Sequence, residues 1–433
     1  MKSVNKVNSK LFGPWKMFLS FFISSLILYL IGPWEYRNRD DAWMILYILI
    51  FILCSTFAYR VGIQKKQKKI KKFTEQPSIP TKLIITSIYV GWAISLYVLV
   101  YGFNKYGLPN SSSIASSMAQ AYSAGRSNVN IENVFALQLY GNFSFFIYTA
   151  LILGTLYFNK LNMINKVLII WLYLNLSLYY IFYNGTQKNI ADLFIILLSV
   201  KYIKFIRENK KFAFTKKTTF IIAGIIILAF FVNVLLGRAA MMNFSRNLYI
   251  TSHYHLNFDH WMINWLPFDI GLAISLAIFY FSHGFYGLSL TLQQPFVWTY
   301  GLASIPNLAV VVTRIIGESS VIDGLTYPER VESATGYSAW SIWHTAFPWL
   351  ASDYTFIGAV LILSVSAYIY GKTWREIVFE GKWQSVLLFT ILNIQWLYMV
   401  ANNQLFTARS TTMMFMVTLF LWIMRNKKIQ IKK

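Results

Sequence analysis

Long apolar runs separated by short polar connections make up most of this chain, and the runs are long enough to cross a bilayer. They predict twelve helices, near residues 17–34, 43–59, 83–101, 134–157, 167–183, 190–206, 218–236, 267–282, 288–312, 351–370, 384–401 and 407–424. The first run has no small-residue cleavage site ahead of the second, so it reads as a retained helix. No internal repeat is visible. The pattern predicts an all-α polytopic membrane protein with one transmembrane domain over residues 1–433.

Composition agrees with the pattern, since 56% of the 433 residues are hydrophobic and 13% are charged. A net charge of +23 in a soluble protein would suggest nucleic acid, but its distribution here argues for a membrane and against a nucleic-acid partner. With both termini cytoplasmic, 29 of the 39 Lys and Arg residues fall on the inner side, as the positive-inside rule expects. These include the lysine cluster at 65–72, the loop 201–217, residues 372–382 and the C-terminal tail. The single cysteine, Cys54, lies in an apolar run and excludes both an intramolecular disulfide and a cysteine zinc cluster.

The two sides also differ in kind. Of the ten basic residues left outside, eight are arginine, against four of 29 inside. Topology needs only positive charge, whereas a planar guanidinium fork suits phosphate or carboxylate oxygens. The bias therefore points to an anionic ligand at the outer face, although arginines also snorkel or pair with outer acids. Three outer loops have room for a function: 102–131, 237–266 and 313–350, the last being a large loop or re-entrant segment. In the second, Arg238 and Arg246 stand about two helical turns apart and would share one side of a short helix.

The third loop contains the stretch from Tyr327 to Gly358, which sets Arg330, His344 and Asp353 among aromatic and turn-forming residues ahead of an apolar helix. An aromatic girdle at headgroup depth accounts for Trp340, Trp343 and Trp349 better than for the ionisable groups between them. Asp192, Asp269 and Asp353 are placed near the outer ends of spans, where they could cap helices or act at the lip of a cavity, with Ser352 as a capping residue. His253, His255 and His260 with Asp259 match no tight zinc signature, so no metal is expected.

About twelve spans, NGTQKNIAD at 184–192, LLGRAAM around Arg238, HGFYGLS at 283–289 and the long stretch from Arg330 to Gly358 resemble the bacterial oligosaccharide repeat-unit polymerases. This is the Wzy family of O-antigen and capsule polymerases, related in architecture to the integral-membrane (GT-C-like) glycosyltransferases. The resemblance implies a metal-independent glycosyltransferase of the bacterial cytoplasmic membrane, without cofactors, acting at the periplasmic or exterior face. It would move a growing glycan from undecaprenyl diphosphate to a sugar hydroxyl of an incoming lipid-linked unit, with membrane lipids around it and a chain-length regulator and flippase as possible partners. Arginines would stabilise the departing diphosphate. Arg238, Arg314 and Arg330 are the first choices, with Arg126, Arg246, Arg409 and Lys188 as further contacts. Tyr337 and Trp343 are aromatic contacts for substrate. For proton removal the order is His344 and Asp353, then Asp192, then Glu332 or Glu329. A ligase-like transferase acting on the same donor is the alternative reading, and a lipid-linked oligosaccharide flippase or other transporter is a further one.

Overall fold

The computed structural model describes residues 10–64, 79–107, 135–207, 252–316 and 322–426, with a few isolated positions between them. The expected span at 218–236, the lysine cluster at 65–72, most of the loop 102–131 and residues 237–251 of the second loop lie outside the described residues.

The described chain is almost entirely helical. Helices α1 (Gly13–Ile31), α2 (Asp41–Ile63) and α3 (Thr81–Tyr106) are followed by a bent pair, α4 (Phe135–Asn142) and α5 (Ser144–Gly154). Then come α6 (Met163–Asn184) and α7 (Gln187–Arg207). After residue 252 the order is a second bent pair, α8 (Phe268–Ser282) and α9 (Gly284–Thr291), then α10 (Pro306–Ile316) and α11 (Tyr327–Thr335). The chain ends with α12 (Phe347–Phe379), α13 (Trp383–Leu397), the turn α14 (Gln404–Thr407) and α15 (Arg409–Met424). Five of these helices are individually long and apolar enough to cross a membrane, and counting each bent pair as one span makes seven. The protein is therefore a multi-pass, all-α membrane protein, with one small addition: strand β1 (Trp34–Tyr36) pairs antiparallel with β2 (Tyr254–Leu256).

Local chemistry explains the boundaries. Pro14 occupies the first turn of α1, where its missing N–H costs nothing, and Gly32 followed by Pro33 ends the helix. Asp40 caps α2 by accepting from the Trp43 amide, and Asn162 caps α6 by accepting from Asn165 at 2.9 Å. Helices α2 and α12 run side by side because each offers a glycine at the crossing. A Cβ on Gly62 would lie 2.3 Å from the Tyr368 carbonyl oxygen, and one on Gly371 would lie 2.7 Å from that of Tyr59.

The helix ends gather at two faces. At one, Trp374 donates to the Lys10 carbonyl at 3.1 Å, Tyr59 to the Leu11 carbonyl at 2.7 Å, and Arg425 pairs with buried Glu376 at 2.5 Å. The first and last described residues, Lys10 and Asn426, thus sit at the same end. At the other face, β1 meets β2, Tyr398 donates to the Lys188 carbonyl at 3.3 Å, and the Thr345 amide donates to Ala401 at 2.8 Å.

Two expected elements are corrected, and a third is found as expected but bends into the helix that follows it. Residues 288–312 do not form a span: α9 ends at Thr291, an irregular segment follows, and only Pro306–Ile316 is helical again. Most of the run is apolar, but Gln293, Gln294, Pro295 and Gly301 (φ +79°) break its periodicity. The preceding helix, 267–282, bends by 40° into α9. The chain on both sides of this pair is held at the face of the β1–β2 sheet: Phe258 stacks on Phe268, and Arg330 donates to the Pro295 carbonyl at 2.6 Å. Finally, the helix placed at 351–370 begins at Phe347, is broken at Thr355 (φ +63°) and continues to Phe379. Ser352 is consequently not its N-cap. Its hydroxyl donates to Pro348 at 2.8 Å and accepts from the Tyr327 amide at 2.9 Å.

Candidate functional site

Residues 322–346, ahead of α12, fold as a cover. Thr326 and Glu329 form a reciprocal capping box at the start of α11, and Gly336, at φ +80°, closes its end in the left-handed conformation. Burial raises the Glu329 carboxyl pKa above its ordinary value. Glu332 accepts from the Ala339 amide at 3.0 Å and so folds the next turn back onto α11.

His344 is fully buried beneath this turn. Its Nε2 lies 3.1 Å from the Ser338 carbonyl, an arrangement that places the ring proton on Nε2. Burial lowers its pKa from 6.5 to about 4, so the ring is neutral at ordinary pH. The fit is tight: a Cβ on Gly287 would lie 2.9 Å from His344 Nδ1, and one on Gly284 would lie 2.1 Å from the Val400 carbonyl oxygen. The glycines of HGFYG therefore form a joint where α9, the turn at 344–345 and the loop at 399–401 touch backbone to backbone.

His283, which sequence reasoning does not select as a site residue, is placed more centrally. Its Nδ1 is 2.5 Å from the Phe279 carbonyl, while its Nε2 accepts the Trp343 amide at 3.0 Å. The proton therefore sits on Nδ1. The ring is stacked between Phe279, with centroids 4.3 Å apart, and Trp343, at 5.4 Å. Trp343 also stands edge-on to Tyr280 at 4.1 Å. Tyr337 is buried and directs its hydroxyl at the His283 carbonyl, 3.3 Å away. Burial pushes its pKa well above the ordinary range, so it stays a neutral donor.

Asp353 is not free. Its carboxylate accepts the Thr299 hydroxyl, the Ser304 amide at 2.7 Å and the Ala303 amide at 3.4 Å. It anchors the irregular segment 299–304, and Asn403 holds the same segment through the Ser304 carbonyl at 2.7 Å. Three of the four non-glycine residues with positive φ among the described residues flank this assembly: Tyr300, Thr345 and Thr355. For β-branched Thr345 and Thr355 the conformation is strained, and the surrounding contacts must hold it.

Asp192 has a different environment. It is 2% exposed, and its close polar contacts are Lys188 one turn earlier, at 2.9 Å, and the Tyr398 hydroxyl. Neither carboxylate oxygen accepts from a backbone amide. Tyr140, Tyr148, Tyr180 and Tyr398 all lie within electrostatic range of it, arriving from α4, α5, α6 and the end of α13. The Tyr140 and Tyr180 hydroxyls bond to each other. Tyr398 also lies within electrostatic range of Tyr280, which packs edge-on to Trp343.

The cations divide. Arg330 is committed to the cover: its guanidinium lies 4.5 Å over the Tyr327 ring, and it donates to Leu325 at 3.1 Å and Pro295 at 2.6 Å. Only Nη2 lacks a hydrogen bond. Arg409 is exposed at the first turn of α15, with its aliphatic stem packed on Gly141, and among the described residues no carboxylate pairs with it. Arg126, Arg238 and Arg246 lie outside the described residues, as does the side chain of Arg314. The histidines of the second loop are engaged locally. His255 lies 2.8 Å from Glu35, and His260 Nδ1 accepts the Met262 amide at 3.3 Å. Among the described residues no group of three or more His, Cys, Asp or Glu side chains converges as a metal site.

Sequence reasoning missed His283, Tyr280, Tyr398 and Asn403 as parts of this assembly. The first carried a signal in the paired glycines that follow it, but Tyr398 looks like any interfacial tyrosine. No protein-family model matches the chain, and no curated protein or solved structure matches it with significance.

Proposed function

We propose that the protein is a membrane glycosyltransferase that polymerises undecaprenyl-diphosphate-linked repeat units at the outer face of the bacterial cytoplasmic membrane. One observation carries the reading. Three separate stretches that resemble the repeat-unit polymerases, 184–192, 283–289 and 330–358, are linked in series: Tyr398 donates to the Lys188 carbonyl and lies within electrostatic range of Tyr280, Tyr280 packs edge-on to Trp343, and the Trp343 amide donates to His283. They bring an ion pair with a buried acid, and beyond them Arg409 is exposed for an anionic leaving group. Exposed Trp298, Tyr300 and Trp340 rim the same face.

In this reading the Lys10 and Asn426 end faces the cytoplasm. The bent pair α8–α9 enters and leaves at the outer face, so the twelve expected crossings become ten with both termini inside, the expected one at 218–236 lying outside the described residues. The anomeric carbon of the donor leaves its diphosphate oxygen and joins a hydroxyl oxygen of the acceptor. Purified protein supplied with a lipid-linked repeat unit should yield a ladder of longer lipid-linked glycans. Transfer to lipid A instead would identify a ligase, and transbilayer movement without a new glycosidic bond would identify a transporter.

A further inference from the structure

We propose that Asp192 is the catalytic base that takes the acceptor hydroxyl's proton, with Lys188 holding it ionised; the assignment rests on the glycan-polymerase reading. Three observations distinguish it from Asp353, Glu332 and Glu329. Asp353 has its lone pairs occupied by three donors of the 299–304 segment, and Glu332 and Glu329 close local turns through backbone amides. A carboxylate so engaged must break structural bonds before it can receive a proton. Asp192 is held by no backbone amide: its partners are two side chains, Lys188 at 2.9 Å and the Tyr398 hydroxyl, although its own side chain is almost wholly buried.

Burying a carboxylate and an ammonium costs several kcal/mol per ion, and a Lys–Asp pair one turn apart recovers that only in part. An apolar pair would hold α7 in the bundle at least as well, so retention of the charges points to chemistry. The surroundings fit a polyol. The Tyr398 hydroxyl hydrogen-bonds the acid, Tyr140, Tyr148 and Tyr180 lie within electrostatic range of it, and neutral phenols can both donate to and accept from sugar hydroxyls.

The step balances within the reaction already proposed. The acceptor hydroxyl oxygen forms a bond to the donor's anomeric carbon, and its proton passes to the Asp192 carboxylate. The bond from that carbon to the diphosphate oxygen breaks, and its electron pair leaves with undecaprenyl diphosphate. Lys188 keeps Asp192 ionised until then, and its own charge is unchanged.

The test uses the full-length protein with saturating lipid-linked donor and acceptor in single-turnover measurements across pH. Asp192→Asn should slow bond formation by about 10²- to 10⁴-fold while donor binding stays near that of the unaltered protein. Lys188→Met should retain part of the rate and shift the acid limb of its pH profile upward, because loss of the cation favours the protonated acid. The groups within electrostatic range of Asp192 are Lys188 on its own helix and the four phenols, so Lys188 is the one expected to move that limb. A merely structural pair would lower folded yield and leave the profile in place. An unaltered protein that makes a ladder while Asp192→Asn makes it equally fast overturns the assignment alone. Absence of a ladder from the unaltered protein overturns the reading and the assignment with it.

Discussion

Replacing Asp353 separates an anchor from a base. In the folded protein its carboxylate receives the Ser304 amide at 2.7 Å, the Thr299 hydroxyl, and the Ala303 amide at 3.4 Å, near the limit of hydrogen bonding. Hydrogen bonds to a charged acceptor contribute about 1.5–3 kcal/mol each, and a buried amide left without a partner costs about 1–3 kcal/mol. The Ser304 amide is the dominant loss. The Thr299 hydroxyl can rotate to another acceptor, and the long Ala303 contact adds little. Asp353→Ala should therefore destabilise the protein by about 3 kcal/mol. Asp353→Asn should cost about half as much, because one amide oxygen can still accept from Ser304 while the NH₂ group faces donors. Thermal unfolding in detergent, read by tryptophan fluorescence, measures the ordering Asp, then Asn, then Ala. Limited proteolysis between residues 299 and 304 should accelerate in the same order. The pH profile of single-turnover transfer should keep its shape in the Asn variant. Undiminished stability together with loss of bond formation would refute the anchor and return Asp353 to the role of base.

The two other predictions concern the joint around His344. Because burial lowers the His344 pKa from 6.5 to about 4, the unfolded chain binds the extra proton in that window; stability is complete above pH 6.5 and falls as pH drops towards 4, by up to about 1.4 kcal/mol per unit. Denaturation midpoints of His344→Gln should therefore lose part of this pH dependence, and an unchanged slope would show that His344 does not carry it. Gly284→Ala sets a methyl group 2.1 Å from the Val400 carbonyl and 3.1 Å from the Thr345 amide nitrogen, both on backbone that cannot step aside. It should cost more than the roughly 1–3 kcal/mol usual for overpacking and reduce the monodisperse fraction on size exclusion, whereas recovery equal to that of the unaltered protein would show that the joint is loose.

The solvent could be read from the amino-acid order alone. Long uninterrupted apolar runs can be satisfied in a bilayer only as helices, so most of the expected spans reappear as helices, among them 17–34, 43–59 and 83–101. The ionisable groups that burial would make costly were also legible, because Asp, Lys and His stand out in such a chain wherever they fall. An apolar composition carried no information about continuity, however. Residues 288–312 are mostly apolar, yet Pro295, Gly301 and Pro306 interrupt the hydrogen-bond ladder, and the segment folds as a cover at one face.

Which acid is available became visible only once the helices were packed. Asp353 and Asp192 look alike as aspartates near helix ends, and the difference lies in partners 49 to 54 residues away for one and a cation four residues away for the other. Local periodicity does not encode such long-range pairings. The same holds for His283 and Trp343, joined across 60 residues by one amide hydrogen bond, and for Tyr398, which meets Lys188 across 210. A hydrogen bond depends on a donor and an acceptor arriving at one point, and arrival is set by how helices cross, which here depends on close-packed glycines such as Gly62, Gly284 and Gly287.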